Sequence, residues 1–393
     1  MSHFANRKAL RFILILGIVS LLADATYEGA RGITGPYMAI LGASAAVVAT
    51  VSGLGELIGY GLRLAFGYLS DRTGRYWTLT LLGYAINVLA VPLLALAGRW
   101  EVAALLIVAE RLGKAIRTPA RDAMLSYATK QVGRGWGFGL HEAMDQIGAL
   151  LGPAIVAAVL FSRSSYPLAF GVLLLPALLA LLALGTARFL YPRPQDLEPT
   201  ALVLQTKGFP RAFWVYLAAV CLVAAGYADF PLIAYHCKRT SLVGDGWIPV
   251  LYAMAMGVDA VAAVLFGRWF DRAGLKILAG VSIVSALFAP LVFLGNLPMV
   301  IAGVALWGIG MGAQESIVRA AVADMVPSTR RGTAYGLFNT GYGISWFLGS
   351  VLLGALYGVS LQSLALVSAV FQIAAVPIFL MVGKLVTRTQ RVG

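Results

Sequence analysis

A short charged turn occurs twice in the chain, and it constrains the fold more than any other feature. The first copy reads Gly67-Tyr-Leu-Ser-Asp71-Arg72-Thr-Gly74-Arg75, and the second, Gly267-Arg-Trp-Phe-Asp271-Arg272-Ala-Gly274, follows half a chain length later. Each copy lies between apolar runs, so the repeat indicates two homologous halves. The glycines at both ends suit a tight reversal, the Asp is expected to cap a helix end, and the Arg is expected to lie at lipid headgroups.

The composition places both halves in a lipid bilayer. Of the 393 residues, 60% are hydrophobic and 12% are charged, and the mean hydropathy is +0.84, which is far too apolar for a soluble protein. The predicted fold class is an all-α polytopic membrane protein with twelve transmembrane helices in two pseudo-symmetric six-helix bundles. Spans 1 to 12, each long enough to cross the hydrocarbon, are expected at roughly 10–41, 46–70, 77–98, 101–128, 134–161, 166–190, 211–238, 245–270, 275–295, 298–325, 331–357 and 361–386.

A polar, proline-rich gap separates the two sets of spans. Residues 191–210 combine prolines with charged side chains, which is typical of a linker. The predicted domains are therefore an N-terminal bundle at 1–190, this linker, and a C-terminal bundle at 211–393. Lys and Arg between the spans fall mainly on the side of the N-terminus, so the positive-inside rule puts both termini in the cytoplasm. The predicted location is the cytoplasmic (inner) membrane of a prokaryote.

Spans 4 and 5 carry more charge than membrane helices usually tolerate. Helical periodicity puts the basic residues of span 4 within an arc of about 120°, and that arc holds Arg111, Lys114, Arg117 and Arg121, with Glu110. On span 5, Glu142 and Asp145 lie one turn apart. From the rise per residue, Arg117 is expected to meet Asp145, and Arg121 to meet Glu142. Two interpretations stay open, namely ion pairs that join two helices, or sites for an anionic substrate and for protons.

Span 1 presents four polar side chains on one helical face, Asp24, Tyr27, Glu28 and Arg31. Glu28 can pair with Arg31, which leaves Asp24 without an obvious local cation. A lone carboxylate in a cavity suits a proton carrier, and bonding to hydroxyls or water without a transport role is equally compatible with the pattern. The second half of the chain is sparser in charge.

The first turn resembles the signature loop between helices 2 and 3 of the major facilitator superfamily, and the second copy resembles the weaker echo between helices 8 and 9. This resemblance implies a secondary transporter that works by alternating access. Arg111 matches a buried span-4 Arg implicated in proton movement in the drug-exporting members. The span-5 antiporter pattern of those members is matched by Gly139, Gly148, Gly152 and Pro153, although its final Gly-Gly is Val156-Ala157 here.

The same resemblance assigns a conformational latch to the two turns. In the exporters the loop Asp, here Asp71, braces the start of span 11 near Gly332, and a span-4 carboxylate, here Asp122, holds Arg72. The expected latch residues are Gly67, Asp71, Arg72, Gly74, Arg75, Asp122, Asp271 and Arg272.

Other functions are less well supported by the sequence. The stretch His141-Glu142-Ala-Met-Asp145 resembles a helical zinc-protease motif with Asp in place of the second His, which leaves an intramembrane metalloprotease as a remote alternative. The chain has no Gly-x4-Gly-Lys-Ser/Thr phosphate loop and no basic run of the kind that binds nucleic acid. Cys221 and Cys237 lie in one predicted helix, about 24 Å apart in rise, and cannot pair within it.

We therefore expect a secondary active transporter that exports a small organic molecule in a proton-coupled cycle, with proton-coupled import of an organic anion as the alternative. The expected proton sites are Asp24, Glu142 and Asp145. The expected substrate-binding residues are Glu28, Arg111, Lys114, Arg117, Asp229 and Glu315. No enzymatic activity, cofactor or metal is expected. The expected partners are the substrate, protons and the lipid bilayer, without nucleic acid, and the chain is expected to act as a monomer.

Overall fold

The computed structural model describes residues 2–132, 134–193, 209–326 and 331–392. Within these ranges some side chains lie outside the description, at 2–6, 129–131, 134–136, 138, 271–273, 316, 318–320, 323–324, 331–333, 384 and 386–392. The side chains of Asp271 and Arg272, expected in the latch, are among them. Most of the expected linker, residues 194–208, lies outside the described ranges.

The described residues are almost entirely α-helical. The helices are α1 (Ser2–Ile40), α2 (Ala45–Thr73), α3 (Tyr76–Leu93), α4 (Trp100–Val132), α5 (Arg134–Arg163), α6 (Tyr166–Val172), α7 (Leu174–Leu190), α8 (Arg211–Gly226), α9 (Phe230–Arg239), α10 (Trp247–Ala273), α11 (Lys276–Ser285), α12 (Phe288–Leu294), α13 (Leu297–Met325), α14 (Arg331–Val359) and α15 (Leu361–Val392). A short 3-10 helix, Leu94–Leu96, follows α3.

These helices confirm the expected all-α membrane architecture. Among the described residues, 11 helical stretches are long and apolar enough to cross a membrane, by length and composition. Helix α4 is not one of them, because the charges between Glu110 and Asp122 interrupt its apolar surface. Together with α4, the stretches match the twelve expected spans.

Both copies of the charged turn end their helices in the same way. The residue after α2 is Gly74, with φ +64°, and the residue after α10 is Gly274, with φ +59°. Their N–H groups donate to the carbonyls of Ser70 at 2.9 Å and Phe270 at 2.8 Å. This is the left-handed glycine stop that helices commonly use, and a side chain at either position would be strained.

Two details of the turn differ from expectation. Gly67 and Gly267 lie inside α2 and α10, so only the second glycine of each copy makes the reversal. Asp71 also lies inside α2, and its carboxylate accepts a hydrogen bond from the Tyr76 hydroxyl at 3.2 Å instead of capping a helix.

Span 7 consists of two helices, which corrects the expectation that Cys221 and Cys237 share one. Helix α8 ends at Gly226 and α9 begins at Phe230, and both thiols are free. Asp229 caps α9, since its Oδ1 accepts the N–H of Phe230 at 2.9 Å. Proline in the first turn of α9 suits a helix start, because it has no N–H to leave unpaired.

Two aromatic side chains tie the break in span 7 to α13, and one of them bonds a backbone carbonyl of the break. Trp307 of α13 donates from Nε1 to the carbonyl of Ala228 at 2.9 Å. The hydroxyl of Tyr227 donates to the carbonyl of Trp307. Irregular backbone at membrane depth requires such internal partners, because the hydrocarbon offers none.

The chain forms two compact units. The first comprises Met1–Tyr37, Leu62–Ala201 and Asp245–Ala253, and the second comprises Met38–Gly61, Leu202–Gly244 and Met254–Gly393. An apolar core joins α1, α3, α4 and α7 in the first unit, around the buried side chains of Phe12, Tyr84, Leu125 and Leu184. In the second unit Tyr227 packs between Trp307 and Trp346. The division into domains at the linker stays a prediction.

Helices α1 and α5 of the first unit approach so closely that their contact needs glycine. A Cβ on Gly148 would lie 2.2 Å from the carbonyl oxygen of Leu21, and one on Gly152 would lie 2.3 Å from that of Ala25. Gly29 faces Gly152 from the α1 side. Glycines four residues apart allow such backbone contact between membrane helices. Of the three glycines that match the span-5 pattern, Gly148 and Gly152 therefore make this contact, and a Cβ on Gly139 would meet nothing within 4 Å.

Replacing Gly152 by alanine is expected to destabilise the protein by about 1–3 kcal/mol, because the added Cβ meets a backbone oxygen that cannot move aside freely. Gly185→Ala is the matched control, since Gly185 is exposed on α7 and its Cβ would meet nothing within 4 Å. Thermal unfolding of the two variants in detergent is the measurement. Equal midpoints would contradict the α1–α5 contact.

Candidate functional site

Charged side chains from three helices meet in the interior of the first unit. We call this set the charged cluster, and its members are Asp24, Glu28, Arg31, Glu110, Arg111, Lys114, Arg117, Arg121, His141 and Asp145. Helix α1 supplies the first three, α5 supplies the last two, and α4 supplies the rest. Ionisable groups at membrane depth mark functional sites by default, because burying them without a purpose is costly.

Arg117 is almost completely buried, with 1% of its side chain exposed. Its Nη2 lies 3.9 Å from Asp24 Oδ1, and its guanidinium lies over the rings of Tyr84 at 4.2 Å and Tyr27 at 5.7 Å. Among the described residues, Asp24 Oδ1 and Arg117 Nε and Nη1 have no hydrogen-bond partner. The expected contact of Arg117 with Asp145 is therefore wrong, because Arg117 faces Asp24. The cation that α1 does not offer Asp24 comes from α4.

Glu28 lies between two cations. Its Oε1 is 4.0 Å from Arg31 Nη1 and 4.0 Å from Lys114 Nζ, which confirms the expected pair with Arg31. Tyr252, in the first turns of α10, donates its hydroxyl to the other carboxylate oxygen. Lys114 also lies 4.2 Å from the centre of the Tyr27 ring, and 21% of its side chain is exposed.

Arg121 binds its neighbour on α4 and a serine on α1. It lies 2.8 Å from Asp122 Oδ1 and donates from Nη1 to Ser20 Oγ at 3.0 Å, while Asp145 Oδ2 is 3.9 Å away. The expected contact with Glu142 is wrong, because Glu142 is exposed. Asp122 is also 46% exposed.

Ser20 is the meeting point of three side chains. Besides Arg121, its Oγ contacts Tyr84 Oη at 3.2 Å and His141 Nε2 at 3.1 Å. The other ring nitrogen of His141, Nδ1, lies 3.5 Å from Asp145 Oδ1. Asp145 Oδ1 is buried and has no hydrogen-bond partner among the described residues. The sequence interpretation missed Ser20, although it precedes Asp24 by one helical turn and shares its face.

Arg111 pairs within its own helix. Its Nε lies 3.3 Å from Glu110 Oε2, and Glu110 Oε1 accepts a hydrogen bond from Asn87 of α3 at 2.7 Å. Helices α3 and α4 are in close contact here, since a Cβ on Gly113 would lie 2.4 Å from the backbone nitrogen of Asn87.

Most positive charge in the charged cluster is compensated. Each of its five basic residues on α1 and α4 has a carboxylate within 4.0 Å, although Arg31 and Lys114 share Glu28 and the carboxylate nearest to Arg121 belongs to Asp122, which lies beside the cluster. The carboxylates that were not apparent from α4 alone come from α1 and α5. The expected surplus of positive charge for an anionic substrate is therefore reduced.

The remaining candidate residues lie apart from the charged cluster along the chain. Asp229, in the second unit, is buried, caps α9 and accepts a hydrogen bond from Ser52. Glu315 is exposed on α13. Arg72 and Arg75 of the first turn are exposed, as is Asp71. In the part of the chain that the structure describes, no group of three His, Cys, Asp or Glu side chains could hold a metal ion.

Comparison with known proteins assigns the family. The sequence model of the Major Facilitator Superfamily matches residues 13–350 and again 230–392. A Mycobacterium tuberculosis protein named only as uncharacterized is 42% identical over 381 residues, which are 94% of this chain and 93% of the relative. The multidrug resistance protein MdtH of Photorhabdus laumondii is 23% identical over 326 residues, 81% of this chain and 79% of that protein.

Solved structures agree on the fold. A crystal structure of the nucleoside transporter NupG superposes with a TM-score of 0.77 and covers 94% of this chain and 99% of its own, at 14% sequence identity. An identity this low shows a shared fold and nothing of the substrate. The family match, the apolar helices and this fold together identify the chain as an integral membrane protein that belongs to the major facilitator superfamily, a family of transporters and not of enzymes.

Proposed function

We propose that the chain exports a small organic molecule from the cytoplasm in exchange for protons, by alternating access in the cytoplasmic membrane, with both termini in the cytoplasm. The observation that carries this proposal is the state of two carboxylates, the buried one of Asp24 and the partly buried one of Asp145. Each has an oxygen without a hydrogen-bond partner among the described residues, and each lies 3.9 Å from an arginine nitrogen.

These distances favour proton exchange over permanent pairing. A charge-assisted hydrogen bond between Arg and a carboxylate brings N and O to about 2.7–2.9 Å. At 3.9 Å the arginine compensates charge without occupying the carboxylate oxygen. A proton can therefore be added to that oxygen while the arginine stays in place, and can leave again when the site opens to the other side.

The two carboxylates lie close enough to influence each other. The Cβ that Gly148 lacks would lie 3.0 Å from Asp24 Cβ, and Asp145 precedes Gly148 by three residues on α5, or about one turn. Neighbouring carboxylates titrate as a coupled pair, because two negative charges disfavour each other. Glu142, the third expected proton site, is exposed, and we place it at the entrance to this pair.

Two observations support export of a cationic or uncharged molecule. Each basic residue of the charged cluster on α1 and α4 has a carboxylate within 4.0 Å, so none is kept free for an anion. We place Lys114, the most exposed of these basic residues, and its buried partner Glu28 beside the substrate. A relative that covers most of the chain is named a multidrug resistance protein. We place Arg111 and Arg117 in coupling, and Asp229 and Glu315 on the substrate path in the second unit.

Proton coupling is tested with Asp24→Asn and Asp145→Asn in proteoliposomes. Either change removes a group that alternates between its charged and neutral forms, so transport driven by a pH gradient is expected to be lost while exchange of substrate across the membrane is retained. Ethidium, a lipophilic cation, serves as the first probe, with a pH dye inside the vesicles. Full gradient-driven transport in both variants would overturn the coupling.

Substrate charge is tested with Lys114→Ala across a set of organic anions and lipophilic cations. A cation does not need the ammonium group of Lys114, and without it Arg31 still lies 4.0 Å from Glu28 Oε1. Removal of Lys114 is therefore expected to leave cation-dependent proton flux in place. Loss of a proton flux that depends on an organic anion would instead favour the rival function, import of an anion. Glu101→Gln, an exposed carboxylate at the start of α4, is the control for nonspecific effects of altered charge.

The latch is proposed for the two charged turns. Asp71 is exposed and bound to Tyr76, so neutralising it should leave the fold intact. Asp71→Asn is expected to slow turnover several-fold without changing the thermal unfolding midpoint. An undiminished turnover rate would contradict the latch and leave the turn only a role in setting the membrane topology.

A further inference from the structure

We propose that Ser20, His141 and Asp145 form a proton relay in which the protonation of His141 Nε2 changes whenever Asp145 is loaded or unloaded. The inference rests on the proposed proton coupling and specifies how the protein holds the proton. His141 is assigned no role in transport by the spacing of charges, and in the sequence it stood out only through its likeness to a protease motif.

The imidazole of His141 on α5 contacts Ser20 on α1, and Ser20 in turn contacts Tyr84 on α3. His141 and Asp145 are one turn apart on α5, with Nδ1 at 3.5 Å from Asp145 Oδ1. This separation is longer than a hydrogen bond, and a small rotation of either side chain closes it. The opposite nitrogen, Nε2, lies 3.1 Å from Ser20 Oγ on α1, and Ser20 is also 3.2 Å from the hydroxyl of Tyr84 on α3.

The Ser20 hydroxyl restricts which of its neighbours can donate a hydrogen bond to it and which can accept one. A hydroxyl donates one proton and accepts at two lone pairs. Arg121 Nη1 can only donate, so its 3.0 Å bond takes one lone pair of Ser20 permanently. One donor and one acceptor position then remain for Tyr84 and His141, which forces these two partners into opposite roles.

Two complete hydrogen-bond patterns follow, and they differ by one proton. In the unloaded state Tyr84 donates to Ser20, Ser20 donates to the bare Nε2 of His141, and Nδ1–H faces the Asp145 carboxylate. In the loaded state Nε2–H donates to Ser20, Ser20 donates to the oxygen of Tyr84, and the proton that Nδ1 already held lies between Nδ1 and Asp145 Oδ1. Loading therefore adds one proton, which forms the Nε2–H bond. The earlier proton stays on Nδ1 or passes to Asp145 as the Nδ1–H bond breaks, and the serine and tyrosine hydroxyls reverse.

Other charged groups surround the relay on every helix packed against it. Helix α1 contributes Asp24, and α5 contributes Glu142 beyond the pair itself. Helix α4 contributes Arg117, Arg121 and Asp122, of which Arg121 lies 3.9 Å from Asp145. Arg121 compensates the carboxylate when the proton leaves. The other charged groups affect the pH at which the relay takes up its proton, and they leave the two hydrogen-bond patterns unchanged.

The protonation of Nε2 can be observed directly by NMR. The chain has 3 histidines, so the full-length protein labelled with nitrogen-15 histidine gives few ring signals, and the His141→Gln variant identifies those of His141. As the pH is raised and Asp145 is unloaded, Nε2 of His141 is expected to change from protonated to bare. In Asp145→Asn this change is expected to be lost, because the amide cannot take up or release a proton.

Matched controls separate the relay from general perturbation. Ser20→Ala removes the partner of Nε2 in both hydrogen-bond patterns, so the change at Nε2 is expected to occur at a different pH from that of the unmodified chain. Ser162→Ala, whose hydroxyl bonds its own helix at Val159, is expected to behave like the unmodified chain. His236, which contacts Tyr357 Oη at 2.9 Å in the second unit, is an internal reference that Asp145→Asn should leave unchanged.

Two results would overturn the relay. One is an Nε2 of His141 that keeps a single state across the whole pH range, and the other is a change that persists in Asp145→Asn. Either result would leave proton coupling standing if Asp145→Asn still abolishes gradient-driven ethidium transport. Gradient-driven transport that is intact in that variant would contradict the coupling whatever the imidazole shows.

Discussion

Compensation of charge in apolar surroundings is the constraint on which the first unit depends. Helix α4 carries too many ionisable side chains to cross hydrocarbon by itself, and it alone among the expected spans lacks a sufficiently apolar stretch in the described residues. Its basic side chains become tolerable because α1 and α5 bring carboxylates to within 4 Å of them. The charged cluster is therefore a condition for folding as well as a site for chemistry.

Glycine makes this compensation possible. The carbonyl oxygens of Leu21 and Ala25 occupy the space that Cβ atoms on Gly148 and Gly152 would fill. Without that approach, Asp145 on α5 could not share the neighbourhood of Asp24, nor could His141 reach Ser20. Helix packing and the proposed proton coupling thus depend on the same contact. In the proposed function, the long ion-pair distances and the carboxylate oxygen without a hydrogen-bond partner among the described residues leave room for a proton to be added and removed.

Prediction from the sequence succeeded where a signal is local. Span positions followed from apolar length, the glycine stop from the repeated turn, and the Glu28–Arg31 pair from spacing along one helix. The break in span 7 was missed because an uninterrupted apolar run was taken as one helix. Asp229 followed two residues later by Pro231 is a helix-start pattern, and it marks the break in retrospect.

The sequence by itself determined that the chain crosses a membrane many times, that its halves repeat, and that its charges concentrate in spans 1, 4 and 5. Only the tertiary structure decided which charges meet. Arg117 faces Asp24 and His141 faces Ser20 because these contacts depend on the rotation and depth of separate helices. One residue along a helix turns a side chain by about 100°, so small errors in helix placement exchange one partner for another. Pairing within a helix needs no such knowledge, which is why Glu28 and Arg31 could be matched from their spacing alone.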